Sequence, residues 1–179
     1  VASMIVAVVA GLALALAARD QSWYLLGGAL VLFNGFLDVL DGALARQTDS
    51  ETPEGDFLDH VVDRYADVAI LGGLVVGVGR YDLGFVAIVG VLLNAYLGTQ
   101  AQAVGLGRMY VGLITRVEVI LLFAEVGLPA TGFGGGFFGW TIVGLFLAFF
   151  AVASNLTALQ RPVGRWRLLG PVSNTLWRW

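Results

Sequence analysis

Apolar residues fill six long stretches of this chain, each near the ~20 residues that a helix needs to cross the hydrocarbon core of a bilayer, with short polar breaks between them. The stretches fall at 2–18, 22–46, 54–79, 83–104, 109–130 and 136–160. They predict an all-α integral membrane protein with six transmembrane helices over residues 1–160. The remainder, 161–179, reads as a basic, Trp-containing tail lying on the membrane surface. The opening SMIVAVVAGLALALA has no basic residues before it and no polar domain after it, which favours a first spanning helix over a signal-peptide core. Val1 in the place of Met sets the expectation of a segment upstream.

The breaks carry their own signals. Arg19 and Asp20 close the first helix, and Trp23 and Tyr24 open the second at the depth where amphipathic aromatics gather. Arg80, Tyr81 and Asp82 turn the chain on that same side. In QTDSETPE (47–54), Thr52 reads as an N-cap and Pro53 as the first helical residue, where its missing N–H costs nothing. The glycine-rich TGFGGGFFGW (131–140) reads as a loop with an interfacial entry.

Composition fixes the solvent. Of 179 residues, 58% are hydrophobic and only 13% charged, where a soluble domain carries roughly 25% charged residues. The mean hydropathy is +0.84. With no cysteine there is no disulfide framework, thiolate metal site or cysteine nucleophile. No basic run or stripe is present, which argues against nucleic-acid binding. Eight of the ten arginines, Arg46, Arg64, Arg108, Arg116, Arg161, Arg165, Arg167 and Arg178, fall on or beside the side that also holds the 47–54 loop and both termini. The positive-inside rule makes that side cytoplasmic. The formal charge of -3 is uneven: residues 38–67 hold nine acidic residues and two arginines, so the acidity is local.

That local acidity carries the candidate chemistry. Asp38 and Asp41 lie three apart near the end of the second helix, and Asp59 and Asp63 four apart near the start of the third, so each pair shares a face. A short loop brings the four carboxylates together at the membrane boundary, where uncompensated negative charge is costly. Only oxygen ligands are at hand, which selects the hard cations Mg²⁺ or Mn²⁺. Two divalent ions neutralise four aspartates, and such a pair is a common device for phosphoryl transfer. Arg46 adds a fixed cation for a phosphate, and the small Gly42, Ala45 and Gly55 leave room for a flat or bulky group near the backbone. Taken singly, an intramembrane Asp serves equally to pair helices, and Gly42 or Gly55 to pack them. Two matched carboxylate pairs across one turn are what a packing role does not explain. Asp49, Glu51 and Glu54 read as solvated loop residues, and Asp56 and Asp67 as outer or interfacial groups. By helical phase His60 faces away from the neighbouring aspartates, in a packing or interfacial role.

The stretch DVLDGALARQTDSETPEGDFLDHVVD (38–63) resembles the signature of the CDP-alcohol phosphotransferases. All eight fixed positions, Asp38, Asp41, Gly42, Ala45, Arg46, Gly55, Asp59 and Asp63, are filled at unbroken spacing. The resemblance implies transfer of a substituted phosphate from a CDP-linked lipid donor to the hydroxyl of a small polar alcohol acceptor, with release of CMP. It implies that Asp38, Asp41, Asp59 and Asp63 hold two divalent cations, that Asp63 is also the general base, and that Gly42, Ala45, Arg46, Thr52 and Gly55 line the donor site. It further implies a homodimer, with the active site at the cytoplasmic ends of the second and third helices. Thr52 retains its N-cap role as a competing explanation.

Acceptor choice should lie in the fourth and fifth helices. Members that use phosphorylated polyols carry a Ser-Tyr segment followed by basic residues. In AYLGTQAQAVG (95–105) Tyr96 fits, while Gly98 and Gln100 stand where Arg or Lys is expected. GLITRVE (112–118) instead resembles a pattern of the archaeal and inositol-phosphate branch, and offers Arg116, with Arg108, to an acceptor phosphate. Pairing with Glu118, or snorkelling to the surface, is the alternative for Arg116. The absence of lysine suits a salt-adapted or GC-rich prokaryote. Two other classes fit a carboxylate cluster in a membrane. An intramembrane prenyltransferase normally places two Asp-rich motifs on well-separated helices, whereas one compact cluster exists here. A cation-coupled transporter binds its ion near the midplane rather than at helix ends.

Overall fold

The computed structural model describes residues 2–47, 52–103 and 142–166, and every described element is an α-helix. These are α1 (Ala2–Leu16), α2 (Trp23–Gln47), α3 (Pro53–Val78), α4 (Tyr81–Ala103) and α5 (Ile142–Trp166). The first four match the first four apolar stretches closely, and α5 takes the place of the sixth. The stretch at 109–130 and the tail beyond 166 lie outside the described residues. One difference is at the end of α5, which continues to Trp166 rather than stopping at 160. The change to basic composition at Arg161 is therefore not a change of backbone conformation.

Side-chain size, more than polarity, decides which face of each helix is buried. In α1 the small Ala7, Ala10 and Ala13 are buried together with Leu14, while Ile5, Val8, Val9 and Leu12 are exposed. Phe33, Phe36, Phe85 and Phe149 point outward from the other helices in the same way. Such an arrangement would be inside-out in water. In lipid, tails are as apolar as leucine, so helices associate through small residues that let backbones close in. α2 over Trp23–Leu44, α4 over Tyr81–Ala103 and α5 over Val143–Gln160 are each long and apolar enough to cross a membrane. The apolar part of α1, Ser3–Leu16, is shorter. α3 is divided: Asp59, Asp63, Arg64 and Asp67 mark its first half, whereas Ile70, Leu71, Leu74 and Val75 in its second half are buried.

Two packed groups result. α1 packs along both α2 and α3, and α4 packs along α5. Where α1 crosses α3, the backbones touch: a Cβ on Gly73 would run into the carbonyl of Gly11, and one on Gly11 into that of Ala69. Any side chain at either position would push the helices apart. Gly27 of α2 lies against Leu14 of α1 in a similar way. Ser3 and Asn34, both buried, add a polar tie, with the Ser3 hydroxyl donating to Asn34 Oδ1 at 3.1 Å, one helical turn before Asp38.

The second group is joined by side-chain amides. Asn155 Nδ2 donates to the Val86 carbonyl at 2.8 Å, and Asn94 Nδ2 to the Ser154 carbonyl at 3.1 Å, beside the close approach of Gly90 to Ser154 and Asn155. Val75 of α3 covers Gly84 of α4 and links the two groups.

The turns use local chemistry. The Asp20 carboxylate accepts from the Ser22 N–H at 2.9 Å and so leads the chain into α2; that bond favours the ionised form and lowers the Asp20 pKa. α3 ends on Gly79, whose φ of 74° lies in the left-handed region and whose N–H donates to the Val75 carbonyl. Arg80 then grips Asp82 with two hydrogen bonds of 2.9 and 2.7 Å.

Gly73→Val is expected to destabilise the protein by about 1–3 kcal/mol, because the added atoms meet backbone that cannot turn aside. Gly72→Ala is the control: nothing lies within 4 Å of a Cβ there. That change should stabilise by up to about 1 kcal/mol through helix propensity. Thermal unfolding in detergent measures both.

Candidate metal centre

Thr52 fixes where α3 begins. Its backbone is extended, with φ −128° and ψ 150°, and its hydroxyl accepts from the Gly55 N–H at 3.1 Å, with Pro53 at the first helical position. The cap expected from the sequence is present. A Cβ on Gly55 would stand 3.1 Å from that hydroxyl, so the cap alone gives this glycine a reason to be small.

From that start, Asp59 and Asp63 follow on one face of α3. Asp38 arrives from α2, and a carboxylate oxygen from each of the three lies within 4.8 Å of the other two. The cluster is graded in depth: Asp59 is exposed, Asp38 half-buried and Asp63 only 8% exposed. Ligand oxygens on one Mg²⁺ sit at about 2.1 Å from the ion and hence roughly 3–4 Å from one another. Small rotamer adjustments of three aspartates would therefore close them on a hard cation, and an all-oxygen donor set suits Mg²⁺ or Mn²⁺.

Asp41 lies outside that group and is exposed, one turn nearer the end of α2. Three residues turn a helix by about 300°, so Asp41 is offset by ~60° from Asp38 as well as displaced along the axis. Gly42 is half-buried beside it. Ala45 and Arg46 belong to the last turn of α2, and their side chains lie outside the described residues, as do Arg108 and Arg116 entirely. His60 is half-buried and is not part of the carboxylate group. Tyr96 is exposed on α4, and its carbonyl accepts from the Thr99 hydroxyl at 2.8 Å.

One residue was passed over in reading the chain as sequence. Arg64 directs one guanidinium nitrogen to Asp67 Oδ2 at 3.2 Å and another to Asp63 Oδ2 at 3.8 Å. Asp67, read above as an outer group, is its anchor. The three-residue spacing of Arg64 and Asp67 was the available signal.

The described residues thus combine helices long and apolar enough to cross a membrane with a carboxylate cluster suited to a hard cation, the kind of site that phosphoryl transfer uses. The chain belongs to the CDP-alcohol phosphatidyltransferase family, whose model matches residues 1–170. It is 33% identical over 138 residues to the archaetidylinositol phosphate synthase of Pyrococcus horikoshii, covering 76% of this chain and 68% of that one. It is 32% identical over 161 residues to the phosphatidylinositol phosphate synthase of Cutibacterium acnes, covering 84% and 77%. The crystal structure of Mycobacterium tuberculosis phosphatidylinositol phosphate synthase with manganese and citrate superposes with a TM-score of 0.72 at 27% identity, covering 91% of this chain and 80% of that one. The same enzyme with CDP-DAG bound gives 0.68 at 25% identity, covering 92% and 86%. The protein is thus a transferase of substituted phosphate groups that uses divalent cations, and the prenyltransferase and transporter alternatives fall away.

Stripping divalent cations with a chelator should abolish turnover, and added Mg²⁺ or Mn²⁺ should restore it. Asp59→Asn and Asp63→Asn are each expected to weaken Mn²⁺ binding by more than tenfold, since loss even of a group supporting a ligand costs about 10–100-fold. Electron paramagnetic resonance of Mn²⁺ titrated into the detergent-solubilised protein reads this directly.

Proposed function

We propose that the protein transfers a phosphatidyl or archaetidyl group from a CDP-linked lipid to the hydroxyl of a phosphorylated polyol of the inositol phosphate type, releasing CMP. The observation that carries this reading is the convergence of Asp38, Asp59 and Asp63 from two helices at the spacing of the family signature. The inositol-phosphate relatives and the GLITRVE segment support the acceptor.

In this reading Asp38, Asp41, Asp59 and Asp63 hold two divalent cations, which supply neutralising charge at the donor's diphosphate. Gly42, Ala45, Thr52 and Gly55 leave space for the CDP group, and Arg46 binds its phosphates. Asp63, the deepest of the clustered carboxylates, takes the proton of the acceptor hydroxyl. The freed oxygen forms its bond to the lipid-bearing phosphorus as the bond to the CMP oxygen breaks, and CMP leaves with the electron pair. Arg108 and Arg116 bind the acceptor's own phosphate, where a guanidinium gives bidentate contacts. The protein works as a homodimer of six-span chains in the cell membrane, with the site open to the cytoplasm and the lipid tail left in the bilayer.

The test is CMP release from purified protein given CDP-diacylglycerol or CDP-archaeol, Mg²⁺ or Mn²⁺, and either inositol phosphate or unphosphorylated inositol. Inositol phosphate is expected to support metal-dependent release and plain inositol to fail; the opposite preference would overturn the acceptor assignment. Arg116→Ala should raise the acceptor KM about tenfold, the loss expected for one charge-assisted contact made in ground and transition states alike, with kcat little changed. Asp63→Asn should retain CDP-donor binding and lose turnover.

A further inference from the structure

We propose that Arg64, held by Asp67, is a positioning residue that fixes the direction of the Asp63 carboxylate. This inference rests on the reading of Asp63 as ligand and base.

Asp59, Asp63 and Asp67 follow one another at four-residue intervals, so α3 presents a ladder of three carboxylates on one face. Asp59 and Asp63 join Asp38 in the cluster, whereas Asp67 does not. Arg64 lies between the upper two rungs, with NH1 3.2 Å from Asp67 Oδ2 and NH2 3.8 Å from Asp63 Oδ2. A planar guanidinium gripped at one nitrogen has little freedom at the other, so the Asp67 contact determines where Arg64 meets Asp63.

Stability does not account for the arrangement. The Arg64 and Asp67 side chains are 35% and 24% exposed, and ion pairs this open to solvent add little to folding. Asp63 is different, because its side chain is only 12% exposed and one of its oxygens faces Arg64. A cation on that side opposes rotation of the carboxylate away from the cluster and offsets like-charge repulsion along the ladder. Asp67, no part of the metal group, acquires a role through Arg64.

Arg64→Ala and Asp67→Ala, singly and together, test the inference against wild type, with Arg64→Lys as the charge-retaining variant. Loss of a nearby cation and release of a ligand act in opposite directions on Mn²⁺ affinity, so turnover is read at saturating Mn²⁺. There, release of Asp63 should lower kcat about tenfold with the donor KM unchanged. Arg64→Lys should recover part of kcat. The double variant should be no worse than Arg64→Ala alone, as expected where Asp67 affects turnover by way of Arg64. Unchanged kcat in Arg64→Ala at saturating Mn²⁺, or additive losses in the double variant, would each overturn the proposal. Asp63→Asn, assayed alongside, separates the two claims: if it still turns over, the reading of Asp63 itself fails. If it is inactive while Arg64→Ala is normal, only the role of Arg64 fails.

Discussion

Contact between two backbones, at Gly11 of α1 and Gly73 of α3, sets the geometry on which the site depends. The aspartates are carried by α2 and α3, yet these helices have no extended packing on each other. Each leans instead on α1. The separation of the carboxylates is therefore the sum of two interfaces, both made close by glycine: Gly11 with Gly73 on one side and Gly27 with Leu14 on the other. A side chain at Gly11 or Gly73 would displace α3 by the width of a methyl group or more. A cluster whose oxygens stand within 4.8 Å has no such margin.

The same economy explains why so apolar a chain can hold four aspartates and an arginine close to the connection between α2 and α3. Hydrophobic burial gives no drive between helices in lipid, so the fold relies on close backbone approach and a few amide bonds, such as Asn155 to Val86 and Ser3 to Asn34. These ties lie within the apolar body, and the described side chains of α3 from Pro53 to Asp59 are exposed. That part can then carry charge. The transition is interleaved: Ala66 is already in the core with Ile70, while Asp67 beside it is half-buried and paired with Arg64. Over a few turns α3 changes from a charged surface to a buried stave.

Local rules made much of this readable in the sequence. Thr52 and Pro53 announced the start of α3 because capping depends on a few adjacent atoms, and the structure has that cap. The spacing of Asp38, Asp59 and Asp63 was legible because helical phase is fixed by residue count. What failed to show was contact between residues that a sequence ranks separately. Arg64 was read for membrane orientation, and its place between Asp63 and Asp67 depends on side-chain direction. The apolar span of the last helix ends at Gln160 as its composition suggests, while the helix itself runs on to Trp166, because the helical hydrogen-bond pattern is indifferent to where the membrane stops. The role of α1 was invisible for a related reason: its run of Ala, Val and Leu says that it is apolar, but which residue meets Gly73 is decided by a crossing in three dimensions.

The exposure of Asp41 bears on how such a site works. Three carboxylates gathered at graded depth, with a fourth standing apart at the solvent end of α2, divide the cluster into an ordered part and an open part. Asp63, at the buried end, is only 8% exposed. Asp41 is exposed, three residues before the end of the apolar stretch of α2 at Leu44. A CDP group carries its own phosphate oxygens, which are ligands as good as a carboxylate, so the open part of the site can be completed by the donor. A buried inner end and an exposed outer end leave a phosphate group a way in from the side of Asp59 and Asp41. The graded burial of Asp59, Asp38 and Asp63 is the structural expression of that division.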